Sequence, residues 1–94
     1  MIRSFRGKFA EAILRGREVP KGLSLPLAKL ARRKLVQLNN ARLLGDMAAP
    51  PGNRLEVLHG NLAGRHSVRV NDQWRVVFRW ESGDAHDVEI VDYH

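Results

Sequence analysis

The chain has 94 residues, no cysteine, and sixteen Lys and Arg against ten Asp and Glu, for a formal charge of +6. That length buries one modest core, and the lack of cysteine excludes a disulfide framework or thiolate metal site and suits a reducing cytoplasm. Charges interrupt the Met1–Lys8 start and no run approaches the roughly 18 apolar residues of a membrane span, so neither an export signal nor an anchor is expected. Phe9, Ala12 and Ile13 recur at helical spacing with Gly16 as a stop, which predicts a short helix from Lys8 to Arg15. After a linker with Pro20 and Gly22, Ser24 is placed to cap a longer helix. Its apolar stripe is Leu27, Leu30, Ala31, Leu35 and Leu38, with Lys29, Arg32 and Arg33 on the opposite face.

Residues 46–53 have no period and two consecutive prolines, so they read as a loop that closes the helical half. From Arg54 onward the period becomes two. Leu55 and Val57 alternate with Glu56 and Leu58, Val68 and Val70 with Ser67 and Arg69, and Trp74, Val76, Phe78 and Trp80 with Arg75, Val77 and Arg79. Asn71-Asp72 and Glu81-Ser82-Gly83-Asp84 suit tight turns, so the pattern is an antiparallel meander ending in Val88–Asp92. Segregated helices and strands predict a single α+β domain, two N-terminal helices packed on one face of a twisted antiparallel sheet. The two tryptophans then belong to the covered face, while Arg75 and Arg79 emerge on an open face that is wet or binds something.

Arginine dominates the excess of cations, which points to a polyanion and first of all to nucleic acid, because the planar guanidinium grips phosphate bidentately. No phosphate loop, dinucleotide fingerprint or nucleophile elbow is present. His59, His66, His86 and His94 lack metal-ligand spacing, so neither a metal nor another cofactor is expected. What remains is Arg, His, Asp and Tyr on neighbouring strands, a set that fits metal-free RNA cleavage. That reaction needs a base for the 2′-hydroxyl, a cation for the phosphate and an acid for the 5′-oxygen. Arg75 can serve as the cation, Asp92 as an acceptor, and Tyr93 can stack on a base. His94 is an imidazole, a side chain whose unperturbed pKa is about 6.5. Arg75 paired with a facing carboxylate fits the pattern equally well, and alternation puts Tyr93 on the face opposite Asp92 and His94.

Three stretches carry a resemblance to a known family: Arg54–Gly60 (RLEVLHG), Gly64–Phe78 (GRHSVRVNDQWRVVF) and Asp87–His94 (DVEIVDYH). Together they resemble the HigB toxins of the RelE/ParE superfamily, most specifically in Asn71-Asp72-Gln73-Trp74-Arg75 combined with a terminal Asp92-Tyr93-His94. The resemblance implies a ribosome-dependent endoribonuclease that enters the ribosomal A site, cuts messenger RNA and halts translation in the cytoplasm. It also implies a small helix-turn-helix antitoxin, HigA, as partner. By position it assigns Arg75 to the phosphate, Asp92 and His94 to acid/base or orienting work, and Tyr93 to substrate positioning. Glu56, Arg65, Arg69 and Arg79 are the expected substrate contacts. Where the family usually has Leu-Lys-Gly-Asp-Arg this chain has Leu58-His59-Gly60-Asn61-Leu62, and Glu56 stands where some members carry His. His59 is therefore expected to replace the lysine as a cation at the phosphate, with cleavage falling above about pH 7. The alternatives are a non-enzymatic gyrase inhibitor like the ParE relatives, or a basic nucleic-acid-binding module built on Lys29, Arg32, Arg33 and Lys34.

Overall fold

A computed structural model describes residues 1–7, 9–16, 19 and 21–92. Helices α1 (Phe9–Leu14) and α2 (Leu25–Asn40) precede a four-stranded sheet of β1 (Glu56–Val57), β2 (Arg65–Arg69), β3 (Trp74–Glu81) and β4 (Asp84–Asp92). The strands lie side by side in chain order and every pair is antiparallel, so the α+β meander expected from the sequence is what forms. The core lies between the helices and one sheet face. Ala10, Ile13, Ala31, Leu35 and Leu38 from the helices meet Val68, Val70, Val76, Phe78, Ala85 and Val88 there.

Ser24 caps α2 as anticipated, its Oγ accepting the N–H of Leu27 at 3.2 Å. The buried stripe of α2 is Ala28, Ala31, Leu35 and Leu38, so Ala28 replaces the expected Leu30, which is exposed. In α1, likewise, Ala10 and Ile13 are buried while Phe9 is exposed and Ala12 only half-buried. In both helices an alanine takes a core position, and small side chains there let packed elements approach closely. Lys8 and Pro20, named above for the helix start and the linker, lie outside the described residues.

Residues 44–53 are more ordered than a loop reading allows. They form two 3-10 turns, Leu44–Ala48 and Pro51–Asn53, and bury Met47 and Asn53 completely. Strand β1 is only two residues long, and its register reverses one assignment: Val57 is 59% exposed while Leu58 is buried.

The hairpin turns follow their side-chain chemistry. Asn71 Oδ1 accepts the N–H groups of Gln73 and Trp74, at 2.9 and 2.8 Å, and fixes the β2–β3 turn. Ser82 and Gly83 both have positive φ, 53° and 81°, as a two-residue hairpin with the sheet's right-handed twist requires. Two features were not foreseen. Strand β4 starts at Asp84 and carries an irregularity where Asp87, at φ 52°, interrupts the register opposite Phe78. The N-terminal segment also runs parallel to β4, with bridges Ile2 to Ala85 and Phe5 to Val88. Trp74 and Trp80 pack against the core from its margin, Trp80 edge-on to Phe78 at 6.4 Å, in line with their reading as packing residues.

Candidate active site on the open sheet face

Directly paired residues of an antiparallel ladder point to the same face. The pairs Glu56–Ser67, Arg65–Arg79, Ser67–Val77 and Arg69–Arg75 therefore gather Glu56, Arg65, Ser67, Arg69, Arg75, Val77 and Arg79 on the face away from the helices. Arg75 and the expected substrate contacts Glu56, Arg65, Arg69 and Arg79 are all on that face. It is not the uniformly wet surface that alternation suggests, because Ser67, Arg75 and Val77 are all buried. Val77 is walled in by Ser67 and Glu89 across the strands and by Arg75 and Arg79 along its own.

Arg75 is the best-held cation of the face. Its Nε donates to Ser67 Oγ at 2.8 Å, and its Nη2 donates to the Arg54 carbonyl at 2.6 Å and, more weakly, to the Ser67 carbonyl at 3.4 Å. Its Nη1 faces Glu56, 3.9 Å from Oε1, so a carboxylate does stand beside it. A guanidinium tied through two of its nitrogens keeps its plane fixed, which is what oriented stabilisation of a phosphate oxygen needs.

The other arginines are laced into ion pairs. Arg65 and Arg79 both approach Asp87 Oδ2, each at 3.5 Å, and Arg79 also pairs with Glu81. Arg69 pairs with Asp72, whose carboxyl is held below its usual range chiefly by the hydrogen bond from Arg69. Ser4 Oγ accepts the N–H of Asp87 at 2.8 Å and steadies the irregular point at which Asp87 reaches both arginines. By contrast Lys29, Arg32 and Arg33 on α2 have no carboxylate at ion-pair distance among the described residues. Together with Val36 they line a shallow groove on the helical side.

Asp92 is placed elsewhere. It pairs with Trp74, which sets it level with the core-side row, and its Oδ2 accepts from Gln73 Nε2 at 2.9 Å. Ladder register thus brings Arg75 opposite Val91 rather than Asp92. His59 is exposed and caps the 3-10 turn Gly60–Leu62 between β1 and β2. Tyr93 and His94 lie outside the described residues. Sequence reasoning missed Ser67, the Arg54 carbonyl and Asp87. Counting back from the Asn71-Asp72 turn was the signal available for Ser67; the irregularity that aims Asp87 has no comparable one. Among the described residues no three His, Asp or Glu side chains converge as metal ligands, and no helix is long and apolar enough to cross a membrane.

Residues 3–94 match a family model described as the RelE-like toxin of type II toxin-antitoxin system HigB. Toxin HigB-1 of Vibrio cholerae is 42% identical over 78 residues, covering 83% of this chain and 78% of that protein. Endoribonuclease HigB of Proteus vulgaris is 27% identical over 94 residues, 100% of both chains. Among solved structures, the YoeB-YefM complex from Staphylococcus aureus aligns with 100% of this chain and 98% of the other at a TM-score of 0.63. At 16% identity that is a likeness of fold.

Proposed function

The chain belongs to the HigB family of RelE-like toxins of type II toxin-antitoxin systems, and from that premise we propose that it is an endoribonuclease that cuts messenger RNA in the ribosomal A site. The observation that carries this reading is the Arg75 guanidinium, fixed by Ser67 and Arg54 on the same face as Arg65, Arg69 and Arg79. In the reaction the 2′-oxygen loses its proton and attacks the adjacent phosphorus. The bond to the 5′-oxygen breaks, and that oxygen takes up a proton, leaving a cyclic phosphate and a 5′-hydroxyl without metal assistance. Arg75 bears the charge that grows on the phosphate oxygens. His59 supplies a second cation or a proton from the β1–β2 connection, and Asp92, held by Gln73, orients the terminal segment. Tyr93 and His94 are assigned to substrate positioning and proton transfer on the family resemblance alone.

The same ion pairs support ribosome dependence. Arg65, Arg69 and Arg79 are already engaged by Asp72, Glu81 and Asp87, so a loose strand must compete with tethered carboxylates. A transcript already aligned in the decoding site carries much less of that entropic burden. The compartment is the cytoplasm, and the neutralising partner is a small HigA-like helix-turn-helix antitoxin. Primer-extension mapping on programmed ribosomes is the test. Discrete cuts by the wild type, reduced about 10²–10³-fold by Arg75→Ala and absent on the same RNA free in solution, are expected. Intact transcripts in an arrested reaction, or trapped gyrase-DNA complexes, refute the reading.

A further inference from the structure

The Arg54 carbonyl that receives Arg75 Nη2 belongs to a residue at φ 46°, ψ 59°. A side-chain-bearing residue rarely adopts that left-handed conformation and keeps it only when its surroundings enforce it. The enforcement lies one residue upstream. Asn53 is completely buried, and its Nδ2 donates to the Met47 and Ala49 carbonyls at 3.0 and 3.1 Å and to Gln37 Oε1 at 3.1 Å. Its Oδ1 accepts from Lys34 Nζ on α2, and its N–H reaches the Pro50 carbonyl at 2.9 Å. Arg54 N–H closes the turn on the Pro51 carbonyl at 3.1 Å.

We propose that Asn53 is a positioning residue for the Arg75 guanidinium, transmitting the fixed place of helix α2 through Lys34 and the left-handed Arg54 to the carbonyl that Arg75 grips. This rests on the RNA-cleavage reading for its consequence, though not for its geometry. Two facts separate it from loop packing alone. The amide is joined to the Met47 and Ala49 carbonyls and to two different residues of α2, Lys34 and Gln37, so displacing it rotates the peptide that follows. Of the acceptors that Arg75 Nη2 meets among the described residues, the Arg54 carbonyl at 2.6 Å is nearer than the Ser67 carbonyl at 3.4 Å. A rotated Arg54 carbonyl removes the short hydrogen bond at Nη2 and loosens the plane of the guanidinium.

The test uses the full-length toxin with 15N-labelled arginine and reads hydrogen exchange at Arg75 Nε–H, alongside cleavage on programmed ribosomes. Asn53→Ala and Lys34→Met are compared with Ser24→Ala, which weakens the cap of α2 without touching this relay. Exchange at Arg75 should accelerate about ten-fold in the first two variants and stay at the wild-type rate in the third. The cleavage kcat should fall about ten- to a hundred-fold with KM within about two-fold. If Asn53→Ala does not fold, Lys34→Met carries the comparison. Unchanged Arg75 exchange in the folded variants overturns the proposal, as does acceleration equal to that of Ser24→Ala, or faster exchange with kcat unaltered. A wild type that cuts no RNA while these variants still loosen Arg75 refutes the function instead and leaves the relay supported.

Discussion

Removing the Ser67 hydroxyl while leaving Arg75 in place should be more damaging than removing both. Ser67 has no exposure, and the Arg75 side chain is only 10% exposed, so water does not readily replace the 2.8 Å bond from Nε. Ser67→Ala strands a charged donor in a closed site, a loss of about 1.5–3 kcal/mol. In a domain of this size that is a fall in Tm of roughly 6–24 °C. Arg75→Met retains most of the stem and removes the charge together with its need for partners. The double variant should therefore return to within about 1 kcal/mol of wild type, with a coupling energy of at least ~1 kcal/mol. Urea unfolding followed by Trp74 and Trp80 fluorescence, with the slope checked for constancy, gives the cycle directly. Additive losses, with coupling below ~0.5 kcal/mol, refute the claim that this hydroxyl holds the guanidinium.

Burial pushes the His66 imidazole below its usual value, and its Nδ1 is buried with no hydrogen-bond partner among the described residues, so the unfolded chain binds the extra proton first. Stability is then complete above the unfolded value near 6.5 and is lost as pH falls below it toward the folded value; His66→Phe, which can keep the stacking on Phe78, should flatten the Tm profile across that window, and an unaltered slope refutes it. Gly83→Ala places a methyl at φ 81° while the nearest atom, the Arg42 carbonyl oxygen, stays at an ordinary 3.9 Å. The penalty is therefore conformational, about 1–2 kcal/mol, and a Tm unchanged within error contradicts it. His59→Lys restores a permanent cation beside β1 and should raise the cleavage rate at pH 8 several-fold over wild type; equal rates remove His59 from the phosphate.

Much of this was legible because neighbouring signals agreed. Ser24 before an apolar stripe, Asn71-Asp72 between alternating runs, and Ser82-Gly83 before Asp84 each specify local backbone chemistry, and each forms as read. Strand alternation likewise put Arg75 and Arg79 on the open face, since a period of two leaves little freedom once the turns are set, and the ladder pairs Arg69 and Arg65 with them. The failures occur where local chemistry is silent about distant partners. Nothing near Leu30 tells that Ala28 will face the core, and nothing around Asn53 announces that Lys34 and Gln37 will seize it. Asp92 was grouped with Arg75 by residue type, but the ladder fixes its partner as Trp74. Asp87 breaks period two at the place where it gathers Arg65 and Arg79.

The parallel bridges from Ile2 to Ala85 and from Phe5 to Val88 join segments from opposite ends of the fold, with both helices and three strands between them in the chain. Ile2 also donates its N–H to Asn39 Oδ1 on α2 at 2.9 Å, and the Asp87 carboxylate that reaches both Arg65 and Arg79 comes with β4. Contacts so far apart in sequence close late. The arginine face is therefore completed by the same late step that docks the N-terminal segment beside β4, and a chain that has not closed those contacts presents Arg65 and Arg79 without Asp87.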